Sequence, residues 1–113
     1  MGTNAYDLTA MRSFSGHLFG SPHRLPVAVL AACAEPEELY AGAIAKAAGV
    51  ERKEARRLLL GMHEAGMLNL AEKALALRGS PRLMIRVEDH YAWGAVIALG
   101  DGFLVDRDDR NLE

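Results

Sequence analysis

A chain of 113 residues in which 13 Lys and Arg face 15 Asp and Glu, for a net charge of −2, is sized for one domain with a modest core. Half of its residues are apolar, yet no uninterrupted apolar run approaches the roughly 20 residues that a membrane helix needs. No charged-then-apolar leader opens the chain either, so a cytoplasmic location without membrane association is expected. The single cysteine, Cys33, excludes an internal disulfide and any multi-cysteine zinc cluster.

Asn4 is placed to cap a helix that starts at Ala5, with Asp7 favourable near the positive end of the helix dipole. Leu8, Met11, Phe14, Leu18 and Phe19 form a broad apolar stripe, and Gly20 closes the helix. Residues 1–20 therefore read as an amphipathic helix that needs burial. Ser21-Pro22 reads as a cap followed by a first-turn proline, opening a second helix to about Ala34. Pro26 cannot donate to the carbonyl four residues back, so the regular part is expected to begin near it. Residues 27–34, VAVLAACA, are apolar all round and belong in a core, Cys33 included. His23 and Arg24 stand at the exposed start of this helix, and Glu35-Pro36-Glu37-Glu38 ends it. Leu39 is a candidate for a short edge strand.

Residues 41–60, AGAIAKAAGVERKEARRLLL, meet the steric demands of two helices joined by a tight turn. Gly49 sits where a Cβ would obstruct the bend, and Ala45 four positions earlier is small enough to let the second helix approach. Ile44 and Ala48 share that face, and Val50 lies under the turn. Ala55, Leu58, Leu59 and Met62 follow at i, i+3, i+4 and i+7, the spacing of one helical face. Winding the second helix at ~100° per residue puts Lys53, Arg56, Arg57 and Leu60 on the opposite side, flanked by Arg52 and His63.

These residues, Ile44, Ala45, Gly49, Val50, Ala55 and Leu58, resemble the helix-turn-helix of bacterial transcriptional regulators. The continuation AGML at 65–68, followed by a hairpin, is similar to the winged-helix branch and specifically to small ArsR-like or MarR-like proteins, over roughly residues 21–99. The resemblance implies a mainly α fold with a small β-hairpin, a winged helix-turn-helix with additional N- and C-terminal helices. It implies that the outer face of the second helix enters the major groove of double-stranded DNA. It also implies that the terminal helix is buried by a partner subunit. Family members that sense metals do so through paired cysteines, which are missing here. Where the family usually carries Ser or Thr before the first helix of the motif, this chain has Tyr40.

Residues 67–72 and 82–88 read as the hairpin, with Leu83, Ile85 and Val87 alternating with Arg82, Met84 and Arg86. Arg78-Gly79-Ser80-Pro81 is turn chemistry, and 73–77, KALAL, is unusually apolar for an exposed wing. Asp89 is placed to cap a last helix, HYAWGAVIAL, burying Trp93, Val96, Ile97 and Leu99. The domain thus spans residues 21–100, and 101–113 is an acidic tail without periodicity, expected to be partly disordered.

Charge is segregated along the chain. Residues 52–86 hold eight bases (Arg52, Lys53, Arg56, Arg57, Lys73, Arg78, Arg82, Arg86) against three acids (Glu54, Glu64, Glu72), a local +5 that leaves −7 elsewhere. A positive face on an acidic body steers toward phosphate. The expected DNA contacts are Arg52, Lys53, Arg56, Arg57, Leu60, His63, Lys73, Arg78 and Arg82. His17, His23, His63 and His90 fall on separate elements without metal-ligand spacing, and no catalytic constellation occurs, so neither a metal, nor a cofactor, nor an enzyme is expected. The expected function is a sequence-specific double-stranded DNA-binding regulator, most simply a repressor, acting as a homodimer through its first and last helices. The alternative is a winged-helix protein-interaction module or antitoxin-like adaptor. The sequence names no effector.

Overall fold

The computed structural model describes residues 6–73 and 82–105. Its elements are α1 (Leu8–Phe19), α2 (Arg24–Cys33), a 3₁₀ turn (Pro36–Glu38), α3 (Ala41–Ala48), α4 (Arg52–Glu64), β1 (Leu68–Lys73), β2 (Arg82–Val87) and α5 (Ala92–Asp101). The fold is mainly helical with one two-stranded antiparallel sheet.

Helix α1 begins three residues later than Asn4 suggests, and its cap is Asp7, whose carboxylate accepts from the Ala10 amide at 3.1 Å. The reason is non-local. Tyr6 forms an antiparallel bridge with Leu104, and the Asp7 amide donates to Phe103 O at 2.8 Å, holding residues 6–7 extended. The same contacts dock residues 103–104 onto the start of α1, so the segment after residue 100 belongs in part to the fold and not wholly to a tail. Asn4 and residues 106–113 lie outside the described residues.

Helix α2 starts at Arg24, two residues before Pro26, and Ser21 does not cap it in the expected way. Its N-cap, His23, makes no side-chain cap bond. Instead Ser15 of α1 supplies the acceptor: the Leu25 amide donates to Ser15 Oγ at 3.0 Å, while the Ser15 hydroxyl donates to Ser21 O. Ser15 is fully buried, so one hydroxyl ties α1 to the first turn of α2. Cys33 departs from the expected burial. It is exposed at the last residue of α2, 3.3 Å from the Tyr6 hydroxyl. Burial, with Cys33 and Asp101 nearby, pushes the Tyr6 phenol well above its ordinary pKa.

Val27, Ala28 and Ala31 of α2 meet Ile44 and Ala48 of α3, Leu58, Leu59 and Met62 of α4, Leu68, Leu83 and Ile85 of the sheet, and Trp93 of α5 in the main core. Met11, Leu25 and Val29 form a second cluster with Leu8, Phe14, Val96, Leu99 and Phe103. The apolar stripes of α1 and α5 therefore pack mainly against α2 within one chain. That weakens the argument that each needs a second subunit. Ile97 is the exception on α5, at 43% exposed in place of the expected burial, and on α1 Leu18 and Phe19 are 60% and 40% exposed.

The hairpin runs in the register Leu68↔Val87 to Lys73↔Arg82. Leu83 and Ile85 point inward as the alternation predicts, while Val87 is exposed. The segment before α3 is a 3₁₀ turn, not a strand at Leu39, but Leu39 O accepts from the Ile85 amide at 2.9 Å and Tyr40 bridges Met84. A single bridge thus lies along the outer side of β2. Helix α5 begins at Ala92, and its first turn is satisfied by His90 Nδ1, which accepts from the Ala92 amide, in place of Asp89. Trp93 Nε1 donates to Met67 O at 2.8 Å, fastening α5 over the entry to the hairpin.

Candidate functional site

The site is built on α3, α4 and the hairpin. Ala45, Ala48, Ala55 and Leu59 are all at most 1% exposed, and the three alanines are small enough to let α3 and α4 approach closely. Gly49 has φ 73°, a conformation that an L side chain adopts at a cost, and ends α3 in a Schellman arrangement: the Gly49 amide donates to Lys46 O and the Val50 amide to Ala45 O. Arg12 of α1 reaches the same corner and donates to Ala48 O at 3.1 Å, placing a cation at the negative end of α3. Gly66, φ 85°, ends α4 in the same manner, with Gly66 N to His63 O and Met67 N to Met62 O. The chain is thereby turned directly into β1.

Helix α4 buries Ala55, Leu58, Leu59 and Met62 and leaves Arg52, Lys53, Arg56, Arg57, Leu60 and His63 exposed. Arg56 and Arg57 do not share a direction, however. Successive residues diverge by ~100°, and the two guanidiniums lie on opposite shoulders of the helix. Arg56 leans toward the hairpin, pairing with Glu72 of β1 at 2.8 Å, with side chains 48% and 55% exposed. Arg57 turns back to Glu54 in a two-point pair, Nε to Oε1 at 3.1 Å and Nη2 to Oε2 at 2.6 Å. The hydrogen bond from Arg57 holds the Glu54 carboxyl below its ordinary pKa, with His23 and Arg24 adding smaller contributions of the same sign. The Arg57 guanidinium is raised in turn by that hydrogen bond. Both pairs are solvent-exposed and so exchange readily for other anions.

Toward the sheet, Arg82 lies over the Tyr40 ring, 4.1 Å from its centroid. Tyr40 in turn is the nearest neighbour of the space beside Gly42, where Arg52 Nε also approaches. Arg52, Tyr40 and Arg82 thus form one continuous surface that joins the start of α4 to the start of β2. The aromatic ring at position 40, which makes no helix cap, acts as the platform for Arg82. His63 is directed inward along the backbone, its Nδ1 donating to Leu68 O at 3.0 Å. Leu60 is 46% exposed. Lys73 is the last residue of β1; its side chain, Arg78 and the KALAL segment beyond Lys73 lie outside the described residues.

Glu72, Tyr40 and the cluster of Arg86, Glu88 and Asn69 on the hairpin were not foreseen as partners. Only the strand register reveals them, because Glu72 and Arg56 are sixteen residues apart. Among the described residues, no three His, Cys, Asp or Glu side chains converge on a metal-sized site. No helix among them is long and apolar enough to cross a membrane. No protein-family model matches the chain, and no curated protein matches it at a significant level.

Proposed function

We propose that this protein is a winged helix-turn-helix regulator that binds double-stranded DNA sequence-specifically through α4 and represses by occupying a promoter. The observation that carries the reading is the outer face of α4. Lys53 and Leu60 face solvent there, flanked by Arg52 and Arg56 on the hairpin side and Arg57 on the other, while every apolar residue but Leu60 turns inward. Three further features support it: the tight Gly49 turn between α3 and α4, the antiparallel hairpin directly after α4, and the Tyr40 bridge beside β2. These are features that the resemblance to ArsR-like and MarR-like proteins implies, and they support the reading. In it Arg56 reads a guanine edge in the major groove, and Arg82 on its Tyr40 platform contacts the backbone. Arg56 must first leave or share Glu72, which an exposed pair does at low cost.

Fluorescence anisotropy on duplexes selected from a random pool, repeated across a salt series, tests this. Arg56→Ala is expected to cost about 1–3 kcal/mol on the selected site and relax its preference. Arg82→Ala is expected to weaken all duplexes alike and reduce the salt slope by about one. Absence of duplex binding at low salt refutes the reading.

The second reading, a protein-interaction module, draws on the same face. Arg56 and Arg57 are already paired to acids of their own chain, and Leu60 offers an exposed apolar contact. The charge segregation favours DNA over it. We also propose a homodimer through the residues that α1 and α5 leave uncovered, Leu18 and Ile97. Light scattering on the Leu18→Glu variant tests it: a parent that is monomeric at tens of micromolar removes the dimer.

A further inference from the structure

On the shoulder of α4 away from the hairpin lies a groove of about 440 Å³, between α2, α4, α5 and the end of α1. Its floor is made by Leu25, Ala28, Leu58, Met62, Val96 and Leu99. Among its lining residues the charged ones are Arg24 and Arg57, both cations, and Phe19 is the one aromatic ring.

We propose that this groove binds a small amphipathic anion, an unbranched aliphatic carboxylate, with its chain on the apolar floor and its carboxylate at Arg24 and Arg57. The volume falls within the ~300–1,000 Å³ typical of small-molecule sites, and the lining has their usual form, apolar with a few polar groups at one place. Charge complementarity fixes the head group. Two guanidiniums, with no acid among the described lining residues and Glu54 beside them as the one paired carboxylate, favour an anion, and a carboxylate matches the planar fork of arginine. Arg57 already grips a carboxylate in that two-point manner, that of Glu54, which shows the geometry the site offers and which a ligand carboxylate must displace from an exposed pair. A floor of Leu, Met, Val and Ala suits a flexible alkyl chain better than a stacked ring.

The proposal deepens the DNA-binding reading in one respect and is otherwise independent of it. Arg57 belongs both to the groove and to the shoulder of α4, and its exposed pair with Glu54 is one that phosphate can displace, so a groove occupant competes with the duplex for Arg57 and acts as a negative effector.

Isothermal titration calorimetry of the full chain with octanoate below its micelle concentration, and with 1-octanol as the uncharged counterpart, tests the site without DNA. Octanoate is expected to bind at one equivalent, and 1-octanol roughly tenfold more weakly or worse, because it loses the charge-assisted bonds. Arg24→Ala and Arg57→Ala are each expected to weaken octanoate by about fivefold or more. Gly61→Leu supplies a variant that keeps its fold, since a Cβ at Gly61 meets nothing within 4 Å and Leu is the better helix former. Because Gly61 lines the groove, this variant is expected to lose octanoate binding. Equal binding of octanoate and octanol, uptake beyond one equivalent, no uptake, or full binding by Gly61→Leu each overturns the site. Octanoate is further expected to weaken duplex binding by the parent and not by Gly61→Leu. If the parent binds both octanoate and duplex with no effect of one on the other, the effector role is overturned. Failure of duplex binding alone leaves the calorimetry intact and refutes only the DNA reading.

Discussion

Replacing Ser15 with Ala removes two hydrogen bonds from a place that water does not reach. The Ser15 hydroxyl is 0% exposed, accepts from the Leu25 amide at 3.0 Å and donates to Ser21 O. Losing a helix N-terminal acceptor costs about 1 kcal/mol in exposed cases. Here the orphaned amide of Leu25, itself 3% exposed, also keeps its desolvation penalty of about 1–3 kcal/mol. The better helix propensity of Ala returns about 0.5 kcal/mol. The net expectation is a loss of about 2–3 kcal/mol, or about 10 °C in Tm for a domain of this size. Urea denaturation and calorimetry of Ser15→Ala beside Ser13→Ala provide the measurement, since Ser13 is exposed on the same helix and makes no such contact. Ser13→Ala should be neutral or slightly stabilising. If both variants lie within about 0.5 kcal/mol of the parent, α1 is not fastened to α2 as argued.

Gly100→Ala should destabilise by about 1–2 kcal/mol in a melt, because the new Cβ stands 2.9 Å from Cγ1 of buried, stiff Val29, and overpacking outweighs the gain in helix propensity near the end of α5. Glu72→Gln should tighten duplex binding by about threefold or more in anisotropy, because it releases Arg56 and removes a negative charge beside the proposed DNA-binding face; unchanged or weaker binding contradicts the assigned direction of Arg56. For Glu54 the folded-state pKa lies below its ordinary 4.5, so the contribution of its pair with Arg57 is fully present above pH 4.5 and is lost as pH falls through the folded value. The Tm difference between the parent and Glu54→Gln should accordingly be flat from pH 7 to about 5 and shrink below that; a difference that grows on acidification reverses the sign.

The parts of the fold legible in the sequence are those set by local sterics and period. Gly49 and Gly66 adopt the left-handed conformation at the ends of α3 and α4, and Ala55, Leu58, Leu59 and Met62 are buried at helical spacing. Leu83 and Ile85 face inward by strand alternation. The misplacements have a common cause in contacts between distant parts of the chain. Asn4 and Asp7 are both good caps, and only the pairing of Tyr6 with Leu104 selects Asp7. Ser21 looks like the cap of α2, but the acceptor comes from Ser15 in another helix. Ile97 sits on a helix apolar enough to be buried on any side, and the approach of Gly100 to Val29 decides which side faces α2.

The candidate site divides along the same line. Which residues of α4 are exposed follows from its period, but where their charges point depends on partners from elsewhere. Arg56 and Arg57 are neighbours with the same chemistry, yet Glu72 on β1 draws one toward the hairpin, and Glu54 one turn back holds the other beside the groove. Glu54 was within reach of sequence reasoning, since an acid three residues before an arginine on a helix is a known pairing. Glu72 was not, because its position opposite α4 depends on the hairpin register and on the turn at Gly66 that starts it. The consequence is a division of labour between two adjacent arginines that the helical period alone does not assign. A change at Arg56 should alter how the outer face meets its partner, whereas a change at Arg57 also alters the groove behind it.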